Sequence, residues 1–281
     1  MNKDGANLGG GRDDGPEEEG EPEVSPGGSR MIRHGDRVRS RDDDTSVLEG
    51  HEHVESEEMQ AFDAELTRRL GSFTVLHEWV SPFVHVDLYL FPPNEEFGYW
   101  RVITRGMSDL PQTVPEGAEE WRHVETVQFL PADTPGLTAG RGSSDAVKFD
   151  GGPWQLAVQK RLARFPHALQ TWLGPFHTVP NDDPPEPYDR KTLLTTAMFL
   201  PAGMGLPEDF GPIEVGGKTI RFLWLTYLTD AECALKLERG ADALVDRLDA
   251  SGTDLVPLDP ARACAVTGAR PRSRRPWWRF W

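Results

Sequence analysis

His85 and Asp87 are the pair in this chain whose types and spacing most directly offer chemistry. On an extended backbone, residues two apart point to the same side. The imidazole and the carboxylate would then stand together as a base and the acid that orients it. His77 and Glu78 lie on the preceding strand-like run. Two polar residues on one strand face are, however, more often a satisfied packing pair. The run Arg105-Gly106-Met107-Ser108-Asp109 offers a second chemistry, a serine on a sharp turn, but it lacks the second glycine of a nucleophile elbow. His51-Glu52-His53 could touch a metal, yet two histidines one residue apart supply too few rigid ligands, and solvated rings are the simpler reading. Gly9-Gly10-Gly11 has no strand before it and no Lys-Ser or Lys-Thr after it, so it is no phosphate loop. Cys233 and Cys264 are far apart and outside any CxxC, which indicates neither a disulfide framework nor a zinc site. Cys233 reads as a small buried residue of a helix. No cofactor and no metal are expected.

The elements that must position His85 and Asp87 centre on Phe83–Asp109. Val84, Val86, Leu88 and Leu90 fall on one side of a period-two pattern and form a core face, while Phe83, His85, Asp87 and Tyr89 fall on the other. That mixed face suits either a second packed layer with satisfied polar groups or the floor of a cleft. Pro92-Pro93-Asn94 turns the chain, Tyr99–Thr104 alternates again, and Gly106 is free to take a positive φ. Around this hairpin, Ser56 caps a helix with Met59, Phe62, Leu66 and Leu70 on one face and a stop at Gly71. Ser72–Val80, Val124–Leu130 and Thr192–Leu200 read as strands, and 132–152 as a long loop. Pro153 suits the first position of a helix striped by Trp154, Val158, Leu162 and Phe165, which Pro166 ends. Gly216-Gly217 reads as a tight turn into Lys218–Leu228, apolar on both faces and therefore a covered central strand. Thr229 and Glu232 form a capping box for a last helix, with Cys233, Leu237, Leu244 and Leu248 on its face, ending at Gly252. The expected fold is α+β, a mixed and mostly antiparallel β-sheet packed with helices in a single domain.

Composition sets the ends of that domain. Residues 1–55 hold few large apolar side chains and many Gly, Asp and Glu, too little to offset the entropy of ordering, so they are expected to be a disordered acidic segment. No basic segment with an apolar run follows Met1, and no stretch of about 18 apolar residues offers a membrane span, so a cytoplasmic location is expected. The formal charge is −16. Residues 1–50 carry 7 Lys and Arg against 13 Asp and Glu, whereas 259–281 carry 6 Arg against 1 Asp, which leaves −15 for 51–258. Such a field disfavours nucleic acid and speeds encounter with a basic partner, though an acidic surface also simply keeps a protein soluble. The tail, 263–281, ends in Arg and Trp. Arg274, Arg275, Trp277 and Trp278 combine charge with amphipathic rings, a composition suited to weak contact with an anionic membrane or to a protein contact.

The ordered set of motifs resembles the Suppressor of Fused domain family. His85-Val86-Asp87-Leu88-Tyr89, Pro92-Pro93, Thr104-Arg105-Gly106-Met107-Ser108 and Pro111 carry the resemblance, followed by Glu125–Pro131, Thr171-Trp172-Leu173-Gly174-Pro175-Phe176-His177-Thr178 and Asp259-Pro260-Ala261-Arg262. It spans about 58–262, hence an expected domain of 56–262; Phe176 departs from the family's frequent glycine. The resemblance implies a non-catalytic module that grips a protein: in animals a zinc-finger transcription factor, in bacteria a toxin neutralised by an immunity protein. The Ala/Arg/Asp/Gly-heavy composition looks bacterial, which favours the immunity reading. The alternatives are a hydrolase using His85 and Asp87, or a regulator that sequesters a basic nucleic-acid-binding protein. The expected partner contacts are Phe83, His85, Asp87, Tyr89, Thr104, Met107 and Ser108.

Overall fold

Helix α1 (Glu57–Leu70) begins at Ser56, whose hydroxyl accepts the Met59 amide proton at 3.1 Å. Glu57 and Glu58 lie in its first turn and Arg68 and Arg69 in its last, each charge complementing the helix end that it faces. This computed structural model describes residues 23–31, 56–78, 84–138, 152–203 and 205–271.

The strands are β1 (Thr74–Leu76), β2 (Asp87–Phe91), β3 (Tyr99–Arg105), β4 (Val124–Pro131), β5 (Thr178–Pro180), β6 (Leu194–Pro201), β7 (Ile213–Val215) and β8 (Lys218–Thr229). They form one sheet in the order β1-β2-β3-β4-β8-β6-β5, with β7 paired to β8. β4 and β8 run parallel and the other pairs antiparallel. Asn94 shapes the β2–β3 connection, because its side-chain oxygen accepts the Glu96 and Phe97 amides at 3.0 and 2.7 Å.

Both faces of the sheet are covered. Helix α2 (Trp154–Ala168) packs Val158, Leu162 and Ala163 on Leu223, Leu225 and Tyr227 of β8, and Leu156 on Leu88 and Leu90 of β2. On the opposite face Phe62, Leu66 and Leu70 of α1 pack on Tyr89, Phe91, Ile103, Phe222 and Trp224. β8 therefore alternates between two cores, as a central strand must. The α+β class with a mixed, mostly antiparallel sheet in a single domain is the observed one.

Several boundaries differ from expectation. Pro153 is the N-cap of α2 rather than its first residue, and Pro166 lies inside the helix, near its end. β1 is three residues long, with 79 and 80 outside the described residues. The last helix is two: α3 (Asp230–Arg239), opened by the Thr229–Glu232 capping box, and α4 (Ala241–Ala250). Gly240, at φ 92°, breaks the path. Cys233 is half-buried, and the buried cysteine is Cys264. Residues 23–31, expected to lack order, fold as a turn against α3, with the Gly27 amide donating to the Leu237 carbonyl at 2.7 Å. The rest of 1–55, apart from 23–31, and His51-Glu52-His53 with it, lies outside the described residues.

Candidate functional site

The pairing of β1 with β2 sets Leu76 opposite Leu88, so His77 arrives beside Asp87. Asp87 is 2% exposed, and a buried carboxylate needs partners. Its Oδ1 accepts the Glu78 amide proton at 2.9 Å and lies 3.0 Å from His85 Nε2, while Oδ2 lies 3.0 Å from His77 Nδ1. Glu78 in turn accepts the Val86 amide at 3.2 Å and the Arg164 guanidinium, and Arg164 Nε donates to the Val84 carbonyl at 3.2 Å. Helix α2 is thereby tied to this corner. Lys160 of the same helix stands 3.4 Å from the Leu76 carbonyl, and burial lowers its pKa. The result is one buried carboxylate holding two imidazoles whose side chains are 58% and 33% exposed for His77 and His85. Such an arrangement fixes the orientation of both rings while leaving them partly exposed.

The glycine-containing turn is built differently. Gly106 takes φ 112°, and a Cβ there would lie 2.0 Å from the His85 carbonyl oxygen, so the turn rests on the backbone of the histidine corner. This orientation aims the Gly106 and Ser108 amides, each at 3.0 Å, and the Ser108 hydroxyl, at 2.7 Å, at Glu125 Oε1. Glu125 is fully buried; burial raises its pKa, while Arg105 and the Ser108 donors pull the other way. His123 Nδ1 lies 2.9 Å from the Ser108 carbonyl and His167 Nε2 3.0 Å from the Met107 carbonyl. A carbonyl only accepts, so each ring carries a proton on that nitrogen. The Ser108 hydroxyl is engaged by a carboxylate, the arrangement of a structural clasp rather than of a serine activated by histidine.

The remaining expected contacts face inward. Tyr89 stacks on Phe73 with ring centroids 4.3 Å apart and donates to Asp63 at 2.8 Å; burial raises its phenol pKa. Thr104 accepts the Thr126 amide at 2.7 Å, and both Thr104 and Met107 are 0% exposed. The mixed face of the hairpin is thus a second packed layer and not a cleft floor. Of the expected contacts, His85 keeps appreciable exposure, while Asp87, Tyr89, Thr104, Met107 and Ser108 are sealed beneath the surface. Phe83 and the tail residues Arg274, Arg275, Trp277 and Trp278 lie outside the described residues.

Sequence reasoning missed Glu125 as the acceptor of the turn; its signal was a lone carboxylate at the start of a strand otherwise built to be buried. It also missed the partner of Glu232. Arg262 donates to both Glu232 oxygens at 2.7 and 2.6 Å and to the Tyr227 carbonyl at 2.9 Å, while the Ala265 amide donates to Glu232 at 2.7 Å. Burial alone would raise the Glu232 pKa, but the Arg262 guanidinium and the backbone amides outweigh it and hold it below the usual range. Phe176, where the family often has glycine, takes φ 63°, which explains that preference.

A SUFU homologue from Neisseria gonorrhoeae is similar in structure, with TM-score 0.49 and 18% identity over 75% of this chain and 97% of that one. A chain of the Sufu–Fu complex is similar with TM-score 0.46 and 12% identity, over 68% of this chain and 81% of that one. Drosophila Suppressor of Fused gives TM-score 0.40 and 15% identity over 60% of this chain and 38% of its own. No curated protein sequence matches. Residues 83–263 match the family described as Suppressor of fused protein (SUFU). That match covers more than half of the sequence and takes in His85, Asp87, the Gly106 turn and Arg262: the chain belongs to the Suppressor of fused protein family.

Proposed function

We propose that this chain is a non-catalytic protein-binding module that captures a basic protein, and that the captured protein is a bacterial toxin which it neutralises in the cytoplasm. The observation that carries the reading is where its polar groups point. The carboxylates and the hydroxyl with catalytic potential, Asp87, Glu125 and Ser108, are turned inward and bonded. The groups turned outward are largely acidic, among them Asp182, Asp183 and Glu186 before β6 and Asp242, Asp246 and Asp249 on α4. An acidic exterior speeds encounter with a basic protein and opposes nucleic acid. The partner is proposed to meet the histidine corner at His77 and His85, the exposed members of that network. Membership in a family with a member solved in a Sufu–Fu complex supports protein capture as the mode of action. The same chemistry also suits a regulator that sequesters a basic nucleic-acid-binding protein.

The convergence of His77, His85 and Asp87 is the specific observation in favour of a hydrolase, and Asp87→Asn separates the two readings. The amide keeps the shape but removes the charge that both rings face. In a binding module the variant, shown to fold by circular dichroism, is expected to lose about 1–3 kcal/mol of partner affinity. A hydrolase would instead lose turnover by about two to four orders of magnitude, measured against a panel of ester and peptide substrates. Turnover in the parent that disappears in Asp87→Asn overturns the binding reading.

A further inference from the structure

The turn formed by residues 23–31 meets α3 by a backbone-on-backbone crossing. A Cβ on Gly27 would lie 2.3 Å from the Gly240 nitrogen, 2.7 Å from the Lys236 carbonyl oxygen and 2.9 Å from the Arg239 nitrogen. None of those atoms can swing aside as a side chain can, so the seat admits glycine alone. The Gly27 amide satisfies the Leu237 carbonyl at 2.7 Å, one of the last four carbonyls of α3, which have no acceptor role within the helix. Two residues on, Ser29 Oγ accepts a hydrogen bond from Lys236 Nζ at 3.1 Å. The turn also supports itself, through Ser25 N to Ser29 O at 2.8 Å, Ser29 N to Ser25 Oγ at 3.0 Å and Gly28 N to Ser25 O at 2.9 Å. It is a preformed, compact unit. Residues 32–55, 24 in number, join it in sequence to the start of α1.

Lys236 is the group this seat leaves unbalanced. It is 3% exposed, its ammonium carries three donors, and among the described residues no carboxylate stands within ion-pair distance. A buried cation facing a hydroxyl keeps a desolvation penalty that an anion would offset. Burial accordingly lowers its pKa.

We propose that the elbow between α3 and α4 is a binding site for a tight glycine turn followed, two residues on, by an acidic group, and that residues 23–31 occupy it in cis as a tethered competitor. Gly27 supplies the backbone fit, and Ser29 is a neutral stand-in for the carboxylate that Lys236 would hold more tightly. Being part of the same chain, the cis turn competes intramolecularly, so a partner turn must carry the better anion to displace it.

The test uses the full-length chain with Gly27→Val, which evicts the cis turn. Fluorescence anisotropy follows labelled peptides of residues 23–31, with the native sequence and with Ser29→Asp. The variant is expected to bind both, the Ser29→Asp peptide about tenfold more tightly, and the parent chain to bind each at least about tenfold more weakly than the variant does. No binding to the variant, equal affinity for the two peptides, or equal affinity of parent and variant each overturns the proposal. Full-length Ser29→Asp gives a second measure that does not depend on the valine variant folding. Amide exchange at Gly27 is expected to slow about tenfold relative to the parent, and unchanged exchange overturns the proposal.

Discussion

Gly106→Ala is expected to destabilise the fold by about 2–6 kcal/mol, a large share of the roughly 5–15 kcal/mol that holds a domain together. Two effects add. At φ 112° an alanine carries backbone strain of about 1–3 kcal/mol. Its Cβ would also stand 2.0 Å from the His85 carbonyl oxygen, so one backbone must move. Movement pulls the Gly106 and Ser108 amides away from Glu125 and leaves a fully buried carboxylate short of donors, about 1–3 kcal/mol more. Gly71 supplies the control. It has φ 87° with nothing within 4 Å of a Cβ, so Gly71→Ala carries the strain alone, about 1–3 kcal/mol. Urea unfolding of both variants measures the contrast, and equal losses would mean that the close approach to His85 contributes nothing.

The second large effect belongs to Arg262. Its guanidinium and Glu232 are 5% and 0% exposed, and Arg262→Met would leave the carboxylate buried without its cation, at about 3–5 kcal/mol. Adding Glu232→Gln is expected to restore much of that loss, because the stranded charge goes with it. The pH dependence follows from the sign of the shift. The Glu232 pKa is held below the usual 4.5, so its contribution is complete above that value and is lost as pH falls through the lower folded one. The gap in stability between parent and Arg262→Met should therefore be widest at neutral pH and narrow under acid, as followed by urea unfolding at several pH values. A gap that grows on acidification contradicts the assignment.

Elements carried by local signals were legible in the sequence. The Ser56 cap, the Thr229–Glu232 capping box and the alternation of β3 depend on residues within a few positions of one another. What covers a face was not legible. Period two groups His85, Asp87 and Tyr89, but it takes the docking of α1 to bury Tyr89 and of α2 to bring Arg164 to Glu78. The split between α3 and α4 was hidden for the same reason. Gly240 reads as a tolerated glycine in a helix until residues 23–31, far off in sequence, are seen to pack against it. The Gly106 turn was recognised as a motif, whereas its purpose, aiming donors at Glu125, needed the β3–β4 pairing.

Capture of a basic protein is tested most directly by titrating the purified full-length chain calorimetrically with the protein encoded beside it in the genome, at about 50 and 150 mM salt. A stoichiometric complex is expected whose affinity falls as salt screens the acidic surface. The absence of any complex at low salt would contradict capture.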